Sequence, residues 1–247
     1  MSRLGLIGGT GLDDWGRASC FHTVETPYGP PSARLAAYEI AGCQVFFLPR
    51  HGEQHQIPPH AVNYRANIDA FRQLGVEGII AVNAVGGIAK HCYPGRIVLP
   101  DQLIDYSWGR AHSFSMAATD ALQHIEFGEP FSAHLRQGLL AAARHAGLDV
   151  HDGGCIAVSQ GPRLETAAEI ARFRQDGCDL VGMTTMPEAA LAREAELDYA
   201  SLCVSANWAA GLAEPVSMQA IESTLAESML EVRELLRVFF KVCTDVC

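Results

Sequence analysis

The sequence predicts one α/β domain, residues 1–247, with a mainly parallel or mixed central β-sheet flanked by helices. Three observations predict it. Short β-branched or aliphatic runs alternate with helical patterns, as they do where strands and helices take turns. Those runs are almost continuously apolar, which fits strands covered on both faces. A chain of 247 residues, 49% hydrophobic and 19% charged, can bury a substantial core as a single domain.

The strands expected, in order, are LGLI (4–7), QVFFL (44–48), GIIAV (78–82), RIVL (96–99), CIAVS (155–159), DLVGM (179–183) and YASLCVSA (199–206). Helices are expected over 60–74, 132–146 and 165–176, each stopped by a glycine (Gly75, Gly147, Gly177) suited to the position just past a helix end. A fourth, 186–196, carries a capping-box pattern, Thr185 with Glu188 three residues on. The last, about 217–240, spaces Met218, Ile221, Leu225, Val232, Leu236 and Phe239 by threes and fours, with Ser217 as N-cap. The stretch 107–131 is polar and weakly periodic, and reads as a long functional loop reaching a neighbouring subunit.

Bulk properties narrow the function. A net charge of −10 argues against nucleic acid as a partner, so any phosphate-bearing ligand must be held by a few local donors. No stretch of 18 apolar residues occurs, and MSRLGLIGG enters a strand-like run at once; neither a signal peptide nor a membrane span is expected. The eight cysteines are scattered without a CxxC, which points to a reduced, cytoplasmic protein; Cys243 and Cys247 read as mobile surface thiols.

Several strand ends carry residues suited to an anion. GLIGGTG (5–11) offers backbone N–H groups and the Thr10 hydroxyl, or is simply a tight turn. A dinucleotide fingerprint would need a glycine where Asp14 stands, and fails. FLPRHGEQH (47–55) puts Arg50 and His51 after a strand, where a guanidinium fork and an imidazole can meet phosphate oxygens. A zinc site of His51, Glu53 and His55 is not expected, because Gly52 and Pro58-Pro59 speak against one continuous helix. AVNAVGGI (81–88) adds Asn83 and the Ala84 N–H, and VGMTTMPE (181–188) adds Thr184 at a strand end. Met183 beside it can pack under a sugar or belong to the core.

Glu165, in SQGPRLET (159–166), and Asn207, in VSANWAAG (204–211), follow strand-like runs. A carboxylate accepts from an N–H, and an amide donates and accepts at once. Such a pair can grip the N1–H, O6 and N7 edge of a 6-oxopurine.

Taken in order, GGTG, RHGEQH, PPHAVNYRAN, NAVGG, QGPRLET and GMTTMPEAALARE make the chain resemble the trimeric purine nucleoside phosphorylases, in particular their 5′-methylthionucleoside branch. The resemblance implies that family's fold and a homotrimer. It implies a phosphate site of Thr10, Arg50, His51, Asn83, Ala84 and Thr184, ribose resting on Met183, and a base held by Glu165 and Asn207 with Ala209 nearby. His124 matches a loop histidine that the family lends across the subunit interface. Inorganic phosphate is the co-substrate, and no metal or organic cofactor is expected.

Two parts of the site, the base pocket and the 5′ end, discriminate within the family. Adenine-preferring relatives place acidic residues at the positions of Asn207 and Ala209, and a serine at that of Glu165. Here the pattern favours a 6-oxopurine, because a mismatch leaves buried polar groups unpaired. Relatives acting on ordinary inosine use a histidine where Ile221 stands; Met218 and Ile221 favour a methylthio group and leave a 5′-hydroxyl unbonded. The expected reaction is phosphorolysis of S-methyl-5′-thioinosine to hypoxanthine and 5-methylthioribose 1-phosphate. The methylthioadenosine, inosine and guanosine reactions are the alternatives, and a non-catalytic nucleotide-binding module is the rival of another class. Trp208 and GLAEP (211–215) depart from the family pattern.

Overall fold

The computed structural model describes residues 3–8, 12, 17–115, 117, 123–213 and 217–244, with side chains as far as 242. In chain order the elements are β1 (Arg3–Gly8), β2 (Cys20–His22), β3 (Leu35–Ile40), β4 (Cys43–Pro49), α1 (Tyr64–Gln73), β5 (Gly78–Gly87), β6 (Ile97–Leu99), β7 (Gln102–Asp105), α2 (Ala133–Ala146), β8 (Val150–Asp152), β9 (Cys155–Val158), α3 (Ala167–Gln175), β10 (Leu180–Gly182), α4 (Thr185–Glu194), β11 (Asp198–Trp208) and α5 (Met218–Thr244).

One mixed sheet runs β2-β3-β4-β1-β5-β10-β9-β7, with β11 on β5 and then β6 and β8 beyond it. β5 is the hinge of this topology. Its first part, Gly78–Ala81, pairs parallel with β1, and its last two residues, Gly86 and Gly87, pair antiparallel with β10. Between them this edge of β5 has no strand partner among the described residues, and the sheet divides. The other edge stays parallel to β11 throughout, apart from a bulge between Ser205 and Asn207.

The continuous apolar runs are covered on both faces, as expected. On β5 and β11, Ile79, Ala81, Tyr199 and Cys203 pack with α1 and α4, whereas Ile80, Val82, Ala200, Leu202 and Val204 pack with α2 and α5. Alternate residues thus enter opposite cores, so hydrophobic cover on both sides fixes the register. A smaller cluster seats α3 through Ile170 and Phe173 against Ala157 and Val181.

All seven expected strands form. Four further strands went unread: β2 is exposed, β3 is diluted by alanine and a glutamate, and β7 and β8 are short. The first helix starts at Tyr64, not at 60, because the Asn63 side chain caps it by accepting from Ala66 N. Ser217 caps α5 as expected, accepting from Ala220 N at 3.3 Å.

The capping box is corrected. It belongs to α3, where Thr166 and Glu169 each accept from the other's backbone N–H. In α4 the N-cap is Thr184, without a side-chain capping bond, and the Thr185 hydroxyl is buried without a partner. Glu188 is fully buried and taken by Arg50, a charged partner that outcompetes a cap N–H. Thr166→Ala should therefore cost about 1 kcal/mol in urea unfolding. Thr185→Val should fall within about 0.5 kcal/mol of wild type, because it removes a hydroxyl that bonds to nothing. The reverse order would restore the original assignment.

Candidate active site

Where the sheet divides, a cavity of about 470 Å³ opens, a size ordinary for a small-ligand cleft. Five segments wall it: the turn after β4, the unpaired part of β5, the β9–α3 connection, the β10–α4 turn, and the end of β11 with the start of α5. Ala84 is exposed in the middle of the otherwise buried β5, because its open edge forms the cavity floor.

Arg50 reaches this cavity because Arg50 N donates to Gly8 O at 2.9 Å, which ties the end of β4 to that of β1. Its side chain is 2% exposed. Nε donates to Glu188 Oε1 at 2.6 Å, Nη2 to Oε2 at 2.9 Å, and Nη1 to Val82 O at 3.4 Å. Tyr199 donates from its hydroxyl to Glu188 Oε2 at 2.9 Å. Burial alone would lower the Arg50 pKa; the charge and hydrogen bonds of Glu188 more than reverse this and keep the guanidinium charged. Burial, and then Glu188, push the Tyr199 phenol well above its ordinary range. A fixed positive charge therefore faces the cavity with two of its five N–H groups bound by the paired carboxylate.

His51 Nδ1 lies 2.8 Å from Ile57 O and donates to it. A carbonyl only accepts, so Nδ1 carries the hydrogen. Burial first, and the neighbouring Arg50 charge second, lower the His51 pKa from 6.5 to about 4. The ring is thus neutral near pH 7, and Nε2 is an acceptor. Asn83 donates to Ser201 Oγ at 2.8 Å and accepts from the Thr184 hydroxyl at 3.0 Å, so β5 is tied to β11 and to the N-cap of α4 beside the cavity.

At the other end Glu165 accepts from the Ser159 hydroxyl at 2.5 Å through Oε1, leaving Oε2 for a partner in the cavity. Asn207 donates from Nδ2 to Trp208 O at 2.6 Å, leaving one amide hydrogen and Oδ1. The bulge in β11 re-aims the residues after Ser205, and both Ala206 and Asn207 line the cavity. Gly161, at φ +60°, closes the turn before Glu165 in a backbone conformation that favours glycine, and a Cβ there would sit 2.5 Å from Met183 Sδ and force that side chain to shift. Met183 and Ala209 line the wall, and Met218 and Ile221 from the first turn of α5 form the rim.

The structure therefore brings together Arg50, His51, Asn83, Ala84, Thr184, Glu165, Met183, Asn207, Ala209, Met218 and Ile221. Thr10 lies outside the described residues, as do Cys247 and the side chain of Cys243. His124 is exposed and does not line this cavity. Glu53 turns to Arg34 at 3.4 Å instead of joining the two histidines. Glu188 and Ser159 were not foreseen as site residues. Ser159 carried a signal, standing at a strand end just before Gly-Pro; Glu188 carried none beyond a charge in an apolar helix.

The chain belongs to the phosphorylase superfamily, whose profile matches residues 3–241. Among relatives it is 50% identical over 231 residues to a probable S-methyl-5′-thioinosine phosphorylase of Xanthomonas campestris pv. campestris, covering 93% of this chain and 90% of that one. A protein of the same description from Xylella fastidiosa strain 9a5c is also 50% identical, covering 90% of this chain and 96% of that one. Among solved structures, a methylthioadenosine phosphorylase from Schistosoma mansoni in complex with adenine superposes with a TM-score of 0.93 at 33% identity, covering 99% of this chain and 93% of that one.

Two measurements test the electrostatics. Glu188→Gln strands a buried guanidinium and should cost roughly 3–5 kcal/mol in urea unfolding. Tyr199→Phe, which removes one hydrogen bond, should cost about 1–2 kcal/mol; equal losses would contradict the pairing. For His51, an unfolded chain takes up the proton near pH 6.5, whereas the folded one waits until about 4. Its contribution is therefore full above pH 6.5 and drains away as pH falls to about 4, by roughly 3 kcal/mol. His51→Gln should lose less stability than wild type between pH 7 and pH 4.5; parallel losses would exclude a neutral, buried imidazole.

Proposed function

We propose that the protein cleaves S-methyl-5′-thioinosine with inorganic phosphate, releasing hypoxanthine and 5-methylthioribose 1-phosphate. The observation that carries this reading is the set of hydrogen-bonding groups left unused at Glu165 and Asn207. A free carboxylate oxygen suits N1–H. One spare amide hydrogen suits O6, and the amide oxygen suits a protonated N7. An adenine base, with an acceptor at N1 and an amino group at C6, would oppose acceptor to acceptor and donor to donor. Apolar Met218 and Ile221 suit a methylthio group, and the relatives at 50% identity carry the matching description.

In the reaction the C1′–N9 bond loosens first and its electron pair leaves with the purine, so the sugar gains oxocarbenium character. Phosphate held against Arg50, Ala84 N–H, Thr184 and Thr10 stabilises that cation, then forms the new C1′–O bond from the opposite face. Asn207 Oδ1 accepts from N7–H as charge builds on the leaving base. The Thr184 hydroxyl swings from Asn83 to the anion. Neutral His51 accepts at Nε2, from a phosphate O–H or a sugar hydroxyl. The reading needs no metal or organic cofactor. It places the enzyme in the cytoplasm as a homotrimer, with His124 entering a neighbour's site.

A methylthioadenosine phosphorylase is the second reading, favoured by the likeness to the Schistosoma mansoni protein. A panel of methylthioinosine, methylthioadenosine, inosine and guanosine, each with and without phosphate, decides between them. Methylthioinosine should lead in kcat/KM, with base released only when phosphate is present. Asn207→Asp should shift the ratio toward methylthioadenosine by about tenfold or more. Faster methylthioadenosine cleavage by the wild type would overturn the purine assignment. Ile221→His should raise inosine turnover, and no gain would remove the 5′ pocket from α5.

A further inference from the structure

The ladder between β9 and β10 ends at Val158 and Gly182, followed by one last bond from Ser159 N to Gly182 O at 2.8 Å. Beyond it the two chains part around the cavity. One carries Glu165, the other Met183 and Thr184. What crosses between them is Arg110, from the long loop after β7. Its Nη1 donates to Met183 O at 2.7 Å and Met186 O at 2.5 Å; its Nη2 donates to Gln160 O at 2.8 Å and Ser159 O at 3.2 Å. The guanidinium also lies 5.6 Å from the centroid of the Tyr64 ring. Tyr64 in turn donates to the carbonyl of Pro59, a further cavity wall.

The loop that delivers Arg110 is itself held on both sides. Trp108 N donates to Gln160 Oε1 at 3.1 Å, and the Ser113 hydroxyl and Phe114 N donate to Glu194 at 2.9 and 3.1 Å. Arg110 does not line the cavity. A flat fork with donors on two nitrogens can span two diverging chains, whereas a lysine ammonium is a single point.

We propose that Arg110 is a positioning residue that locks the base-binding turn (160–165) to the sugar- and phosphate-binding turn (183–186), so that both halves of the site keep their mutual geometry. It acts through backbone carbonyls and touches no substrate. The proposal rests on the phosphorolytic reading above. The nucleoside spans the seam that Arg110 closes, with its base at Glu165 and its sugar on Met183, and phosphate lies on the Thr184 side; a shift of one turn against the other by a fraction of an ångström is therefore felt at both co-substrates.

The test compares Arg110→Ala and Arg110→Lys with wild type in steady-state kinetics, varying nucleoside and phosphate separately, with thermal melts alongside. Arg110→Ala should raise KM for both co-substrates together and lower kcat, by about tenfold or more in kcat/KM. Guanidinium ion added at millimolar concentration should restore part of the lost activity, which a general loss of stability would not allow. Arg110→Lys should show the same paired rise, smaller in size, and decides the matter if the alanine variant does not fold. Wild-type KM values for both co-substrates in the soluble variants, whatever the melting temperature, would overturn the proposal, as would a change confined to one of them. A wild-type protein that cleaves no purine nucleoside would instead sink the phosphorolytic reading, so the two failures are distinct.

Discussion

Strand β5 changes partners partway along its length, and the site exists because of that change. At Gly78–Ala81 it is an interior strand between β1 and β11; at Gly86–Gly87 its neighbour is β10, running the other way. The intervening backbone faces a cavity instead of a strand. A small residue at Ala84 keeps that floor open; after it, Gly86 makes room for Val181 of β10 and Gly87 for the Cys92 carbonyl. The walls are ends of strands, where side chains and backbone groups leave the ladder and become available to a ligand.

The division is costly to maintain, because it exposes polar backbone in the heart of the molecule. Buried polar links hold the divided elements in place. Arg50 and Glu188 bridge the end of β4 to α4, and Thr184, Asn83 and Ser201 tie the N-cap of α4 to β5 and β11. A buried ion pair is weak evidence for stability, since desolvation consumes most of its attraction. Its value here lies in orientation: it holds one planar cation, always charged, in the buried wall of the cavity. The neutral His51 beside it follows first from burial and then from the same charge, which would repel a second cation.

Much of this was legible in the sequence. The seven main strands and the strand-end residues Arg50, Asn83, Thr184, Glu165 and Asn207 could be read because apolar runs and glycine-rich turns are local signals. The pairing of distant partners was not. Glu188 looked like a helix cap, since its nearest sequence neighbour of interest was Thr185; its true partner is Arg50, 138 residues earlier. The bulge at Ala206 also left no local mark, although it is what brings Asn207 to the cavity. The exposed strand β2 and the alanine-rich β3 lacked the apolar continuity that marked the others.

The proposed reaction rests on a division of labour in which an anion would lie against Arg50 and Thr184 while the keto edge of a purine lies between Glu165 and Asn207. Soaking crystals with phosphate and hypoxanthine together measures it most directly. The account predicts density for the anion on the guanidinium, and the base with N1 toward Glu165 and O6 toward the Asn207 amide. A base turned away from those two side chains, or an anion bound on the opposite side of the cavity, would contradict it.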